Sequence, residues 1–372
     1  MSVREVIQLA DFVATERPVT RIVVIADRIG ATQQISFMQP LAGQLTEQRA
    51  TLLMVNDKII GRTHAKASEF LARHSPTAVI FSRYTEGRCK DLISIARERR
   101  IPILFHIDDD LLDPPPSLGN TKYEHYSNPT RIAALRAAMN EADLVYASTP
   151  QLANALLRHG VTAPILAGEV YCSVDVTRLP PVLPSTLPVF GYMGTEGHAQ
   201  DLAMVLPAIE RVMTEIPGLR FETFGTIVMP PSLEQRFGIR VRHHPPVGDY
   251  ARFLDRLAEF GWWVGLAPLE RTPFNHCKAD TKWVEYTYAG IATLASAGPV
   301  YARACEGGAG RLAEHPAAWI SALGELIRDG ATRTTQLAIA RERLTTHYSH
   351  HVLEAQLLVI VAKARAGLGL AA

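Results

Sequence analysis

Cysteine is scarce and dispersed in this chain of 372 residues: Cys89, Cys172, Cys277 and Cys305 stand far apart. That spacing excludes the close pairs of a zinc site and the density of a secreted disulfide scaffold, and it fits a reducing compartment. An excess of positive charge is missing as well. Lys+Arg 38 against Asp+Glu 37 leave a formal net charge of +1, so nothing global holds nucleic acid and any phosphate recognition has to be local. No run approaches the roughly 20 apolar residues of a membrane span. The opening MSVREVIQLADFVATERP lacks the basic start and apolar centre of an export signal. The chain therefore reads as cytoplasmic, with peripheral contact at the inner face of a membrane left open. No G-x-G-x-x-G, Walker loop, HExxH or Ser-His-Asp order occurs. The loop ADRIGATQQ, after the first expected strand, holds a single glycine, which argues against an NAD enzyme.

What is present is a regular alternation of short β-rich runs with longer segments of helical period, the pattern of an α/β architecture. Strands are expected at 21–27, 51–56, 77–84, 103–108, 144–148 and 164–170. The segment 176–188, VTRLPPVLPSTLP, carries four prolines that fit neither a helix interior nor a central strand, and it reads as a linker. The pattern then restarts, with strands expected at 189–193, 219–224, 239–242, 263–267 and 292–295 and helices from 319 onward. Two Rossmann-like domains follow, 1–175 and 189–346, with 347–372 a C-terminal helix expected to pack back on the first. Doubly wound domains bind ligands at the carboxyl ends of their strands, here expected to face one another across a cleft.

The most informative stretch is 268–299, PLERTPFNHCKADTKWVEYTYAGIATLASAGP. Lys278, Lys282 and Glu285 are spaced to share one helical face, two ammonium groups followed by a carboxylate. Near a helix start the free N–H groups and the dipole favour phosphate, lysines add point charges, and a carboxylate deeper along accepts from ribose hydroxyls. Such a face grips a nucleoside diphosphate. A solvated Lys282–Glu285 pair is the alternative on spacing alone. Lysine is rare here, however: Lys122, Lys278, Lys282 and Lys363 are the only lysines after Lys90.

At these residues the chain resembles the GT-B glycosyltransferases, in particular the bacterial family 4-like (group 1) enzymes. The signature stands as Lys282, Glu285, Tyr286, Ala289, Gly290, Ile291 and Ser296. It is accompanied by GYMGTEGHAQD (191–201), Phe224-Gly225, the apolar strand 263–268 and ADLVYASTPQLANALLRHG (142–160) with Val174-Asp175. The resemblance implies Lys282 on the donor phosphates, Glu285 on the donor ribose, and Gly194, Thr195 and His198 lining the loop that faces the pyrophosphate. It implies sugar transfer from a nucleotide-sugar donor to a saccharide, lipid-linked or protein acceptor, with retention and with no obligatory metal or other cofactor. Many members carry a second glutamate where this chain has Cys277, and an arginine and a lysine where it offers His198.

The run Asp108-Asp109-Asp110 at a strand end invites a metal hypothesis. It reads better as part of the acceptor cleft, where His106 and Asp109 are candidate catalytic groups with His198, and where Gly30, Thr32 and Gln33 approach the acceptor. Two other functions remain open at this level: a nucleotide-sugar epimerase of the same architecture, using His106, Asp109 and His198 as its acid/base set, and a non-catalytic nucleotide-sugar-binding subunit.

Overall fold

The structure is a computed structural model that describes residues 6–8, 20–86 and 88–369. The N-terminal stretch read for an export signal, apart from 6–8, lies outside them. No helix among the described residues is long and apolar enough to cross a membrane.

The chain divides into two compact units. The first comprises Met1–Pro114, Glu124–Ser173 and His350–Ala372; the second comprises Pro115–Tyr123 and Val174–Ser349. In the first unit, strands β1 (Val6–Gln8), β2 (Thr20–Ile25), β3 (Ala50–Val55), β4 (Ala78–Ser82), β5 (Ile103–Ile107), β6 (Leu144–Ala147) and β7 (Ile165–Ala167) form one sheet in the order β1-β3-β2-β4-β5-β6-β7. All neighbours are parallel except β1, which runs antiparallel to β3. β2, β4 and β5 are near-continuous apolar runs because helices cover both faces, so no polar alternation is needed. The core joins Ile22, Val24, Ile80 and Leu104 of the sheet to Leu357, Ile360 and Val361 of the last helix, His350–Gly367. Gln356 of that helix donates to the Tyr146 hydroxyl (2.8 Å) and to the Val170 carbonyl (2.8 Å).

The second unit holds β8 (Val189–Gly194), β9 (Arg220–Gly225), β10 (Val241–His244), β11 (Val264–Ala267), β12 (Ala292–Ser296) and β13 (Arg311–Ala313), all parallel, in the order β10-β9-β8-β11-β12-β13. In both sheets the chain leaves its first long strand to one side, returns, and continues on the other side. This reversal opens a crevice at the carboxyl ends of β2 and β4 in one sheet, and of β8 and β11 in the other.

The expected strands all form, with ends shifted by at most three residues. β1 and β13, three residues each, escaped periodicity because so short a run carries no pattern. The proline-rich segment is a 3-10 turn, Val176–Arg178, followed by irregular chain.

Candidate functional site

The loop leaving β8 runs through Gly194, Thr195, Gly197 and His198 into the helix Ala199–Glu215. Backbone contacts fix its path. Gly225 ends β9 at φ +117°, and a Cβ there would lie 2.2 Å from the Gly194 carbonyl oxygen, so only glycine lets the two strand ends approach. The Glu196 amide donates to Thr226 Oγ1 (3.1 Å), and the His198 amide returns to the Thr195 carbonyl (2.9 Å).

One turn on, His198 Nδ1 lies 2.7 Å from Asp201 Oδ2. Asp201 is buried, and its other oxygen accepts from the Glu270 amide (2.8 Å) and Asn275 Nδ2 (3.4 Å). One carboxylate thus ties the loop after β8 to the loop after β11. Burial works to raise Asp201, but the hydrogen bonds from His198 and Glu270 hold it below the usual carboxylate range. The nearby Lys282 ammonium, reinforced by burial, pushes His198 down to about 4, so the imidazole is neutral at physiological pH.

Lys282 and Glu285 stand in the helix Thr281–Tyr288 one turn apart, as their spacing requires. Lys278 lies outside that helix, although its charge acts on both Lys282 and His198. A short helix, Pro273–His276, is started by Thr272, whose hydroxyl accepts from the Asn275 amide (3.1 Å), and it ends before Lys278; the next helix begins only after Asp280. The expected continuous face is therefore broken, and Lys278 comes from the connecting turn with its ammonium over the Phe274 ring at 4.8 Å. The Lys282 ammonium lies over the Tyr192 ring at 5.7 Å, and that ring packs directly beneath Gly194. Glu285 is buried, which pushes its carboxyl up to about 7 against the pull of Lys282 and of a hydrogen bond from Tyr250. Its neighbour Tyr286 anchors the helix: the hydroxyl donates to the Leu266 carbonyl (2.9 Å) and accepts from the Met193 amide (3.1 Å), pinning it to the ends of β11 and β8. Cys277 is buried, with Sγ 3.4 Å from the Pro273 carbonyl, so at this position a small side chain fills space.

In the first unit a second constellation lies at the ends of β2, β4 and β5. Arg83, directly after β4, adopts φ +52°, a conformation disfavoured for a side chain of this size. Its guanidinium pairs with Asp108 (3.1 Å) and Asp109 (3.5 Å) and lies over the Tyr126 ring at 5.7 Å. Asp108 also accepts from Thr32 Oγ1 (2.9 Å) and the Tyr171 hydroxyl (2.8 Å), while Asp110 pairs with His159 (3.0 Å). The three aspartates of the run are thus each committed to a protein partner. Beside them Asp27 accepts from the Thr85 hydroxyl (2.9 Å) and from Arg131 (3.1 Å). Among the described residues no cluster of three or more His, Cys, Asp or Glu side chains is placed to hold a metal ion.

Two expected site residues are placed elsewhere than anticipated. His106 is fully buried within β5, between the Phe37 and Tyr146 rings, with Nδ1 3.0 Å from Ser82 Oγ. It is a core residue because β5 is covered on both faces, and burial pushes it down to about 4. Gln33 is also buried, its Nε2 donating to Ser82 Oγ (3.0 Å) and its Oε1 accepting from the Gly30 N–H (2.9 Å), so it shapes the loop from within. Gly30 and Thr32 stay partly exposed beside Asp108, and Asp109 remains partly exposed beside Arg83.

Sequence reasoning missed Asp201, Tyr250 and Arg83. Asp201 was legible in principle, three residues after His198 on one helical turn. Arg83 and Tyr250 reach their partners only through the fold.

No family model matches the chain, and no curated protein matches it in sequence. Solved structures do match in shape. The HepE protein of Anabaena in complex with UDP-glucose superposes with a TM-score of 0.65 at 14% identity, over 92% of this chain and 99% of that one. A trehalose-6-phosphate synthase, OtsA, gives 0.63 at 11% identity over 92% and 99%. A mutant of S. aureus TarM, in complex with fondaparinux, alpha-GlcNAc-glycerol and UDP, gives 0.58 at 11% identity over 80% of this chain and 58% of that one. The fold is therefore that of the GT-B glycosyltransferase structures, an α/β architecture of two Rossmann-like domains.

Proposed function

We propose that this protein transfers a sugar, a hexose or a close relative, from a nucleotide-sugar donor to a hydroxyl acceptor, with the nucleoside diphosphate as leaving group. The observation that carries the reading is the Lys282–Glu285 turn, anchored by Tyr286 against the ends of β8 and β11 beside the Gly194–His198 loop. A switch-point crevice with an ammonium and a buried carboxylate suits a pyrophosphate joined to a ribose. Similar structures fit this reading: HepE was crystallised with UDP-glucose and TarM with UDP.

Departure of the diphosphate is then eased by fixed positive charge at the loop. Transfer with retention, in which the leaving phosphate helps to deprotonate the acceptor on the same face of the sugar, belongs to this reading, as does a place in the cytoplasm, at the membrane face or free of it, in polysaccharide or glycoconjugate synthesis. The acceptor is a saccharide, free or carried on lipid or protein, met by Gly30, Thr32, Asp109 and their neighbours. No metal is required, since Asp108 and Asp109 already face Arg83 and Asp110 faces His159.

The test is a panel of nucleotide sugars assayed for nucleoside diphosphate release with a cell-envelope acceptor fraction. Release that depends on acceptor and persists in excess EDTA is expected. Free isomerised donor without acceptor would mark an epimerase, and binding without turnover a non-catalytic subunit. Abolition by EDTA with rescue by manganese would return the acidic run to the centre of the mechanism.

A further inference from the structure

The candidate diphosphate loop lacks a cation of its own. His198 is neutral, Asp201 and Glu196 add negative charge, and Lys282 reaches the loop from the side of Tyr192. A departing nucleoside diphosphate gains charge on the β-phosphate, so a further cation at the loop, beside Lys282 and the nearby Lys278, would stabilise it.

Such a group comes from a distant stretch of chain. Pro115–Tyr123 belongs to the second unit although the sequence on either side of it belongs to the first. Its 3-10 turn, Pro116–Leu118, packs on the turn Glu196–His198 so closely that a Cβ on Gly197 would lie 3.0 Å from the Leu118 carbonyl oxygen. The contact orients the next turn, and the Lys122 ammonium donates to Thr195 Oγ1 at 3.5 Å. Lys122 makes no ion pair among the described residues, and the Thr195 hydroxyl takes one of its three N–H donors.

We infer that Lys122 is a donor-binding residue: carried to the Gly194–His198 loop by the 115–123 strap, it supplies the cation that the loop itself lacks and contacts the diphosphate of the nucleotide sugar. This deepens the donor reading above and rests on it. Glycine at 197 suits the same arrangement, because a Cβ there would force Leu118 to give by a few tenths of an ångström.

The experiment uses the full chain and whichever of UDP, GDP and ADP binds it most tightly, each paired with its nucleoside. Lys122→Ala is expected to weaken diphosphate binding about tenfold, as the loss of one charge-assisted contact does. Nucleoside affinity should be unchanged, and Lys122→Arg should recover most of the loss. Lys282→Ala is the control for the site. If Lys282→Ala weakens binding and Lys122→Ala stays within about twofold of wild type, the inference is wrong and the donor reading stands. Equal loss of diphosphate and nucleoside would show that Lys122 only supports the loop, which also overturns the inference. If neither lysine matters, or none of the three diphosphates binds, both fall together.

Discussion

A neutral imidazole beside an ammonium sets the electrostatics of the loop after β8. Asp201 is ionised and can only accept, so the single proton of neutral His198 sits on Nδ1 and its Nε2 presents a lone pair. Positive charge at the loop is therefore the work of lysine. Lys282→Ala should weaken nucleoside diphosphate binding by about 1.5–3 kcal/mol in calorimetry, and Glu285→Gln, which keeps a polar group against the ribose, by less. Removing Lys282 also removes the largest influence depressing His198, so the imidazole should titrate closer to 6.5 in the variant, readable by NMR. Unchanged affinity in both variants would refute the assignment. His106 offers a pH test in the first unit. Its folded value of about 4 lies below the ordinary 6.5, so between those pH values the unfolded chain binds the extra proton. Stability is therefore full above about 6.5 and is lost as pH falls toward 4, by about 3 kcal/mol in all. Thermal melts from pH 7 to 4.5 should fall less steeply for His106→Gln than for wild type; identical slopes would show that the ring is charged or exposed.

Between residues and sheets, the placement of Glu285 depends on one hydroxyl. Tyr286 bridges the Met193 amide and the Leu266 carbonyl at the edge of the crevice, in a position where water does not compete. Tyr286→Phe leaves both groups unpaired, at a cost of roughly 1–3 kcal/mol. It should speed hydrogen exchange at the Met193 amide and weaken diphosphate binding through a loosened helix; unchanged exchange would mean that apolar packing alone holds the element. Lys282 and Glu285 were legible because spacing reports on a single helical face, and Tyr286 through the motif that carries the family resemblance. The break before Asp280 was not legible as spacing, since Lys278, Lys282 and Glu285 would fit a helix equally well. The signal lay in Thr272-Pro273, a cap and first turn that start a separate short helix. His106 failed for another reason. A histidine within an apolar strand reads the same whether it faces a cleft or a second layer of helices, and only the cover on both faces of β5 decides. Tyr250 meets Glu285 by way of two crossover connections, which local pattern does not encode.

At the scale of the whole chain, the order of residues and the membership of the two units differ. The last helix, His350–Gly367, is read from the sequence after the second sheet is complete, yet its Leu357, Ile360 and Val361 are buried in the core of the first unit with Ile22, Val24, Ile80 and Leu104. Burying three such side chains contributes roughly 5–9 kcal/mol, which is comparable to the entire stability of an ordinary domain. Polar ties act in the same direction, for Gln356 binds the Tyr146 hydroxyl and the Val170 carbonyl, and Gln44 donates to Glu354 (2.5 Å). The core of the second unit, by contrast, draws on residues 190–327 and on none from the last helix. A chain ending at Ser349 should therefore lose the first unit while the second keeps its sheet. Hydrogen-exchange mass spectrometry is the measurement. Amides of β2, β4 and β5 are expected to exchange within the shortest labelling times, and those of β8, β9 and β11 to retain their protection. Nucleoside diphosphate binding through Lys282 should survive in the shortened chain, because every group that forms that crevice lies before residue 350. Protected β2, β4 and β5 amides after truncation would show that the sheet and its remaining helices suffice, and that the C-terminal helix is a cover on the first unit and no part of its core.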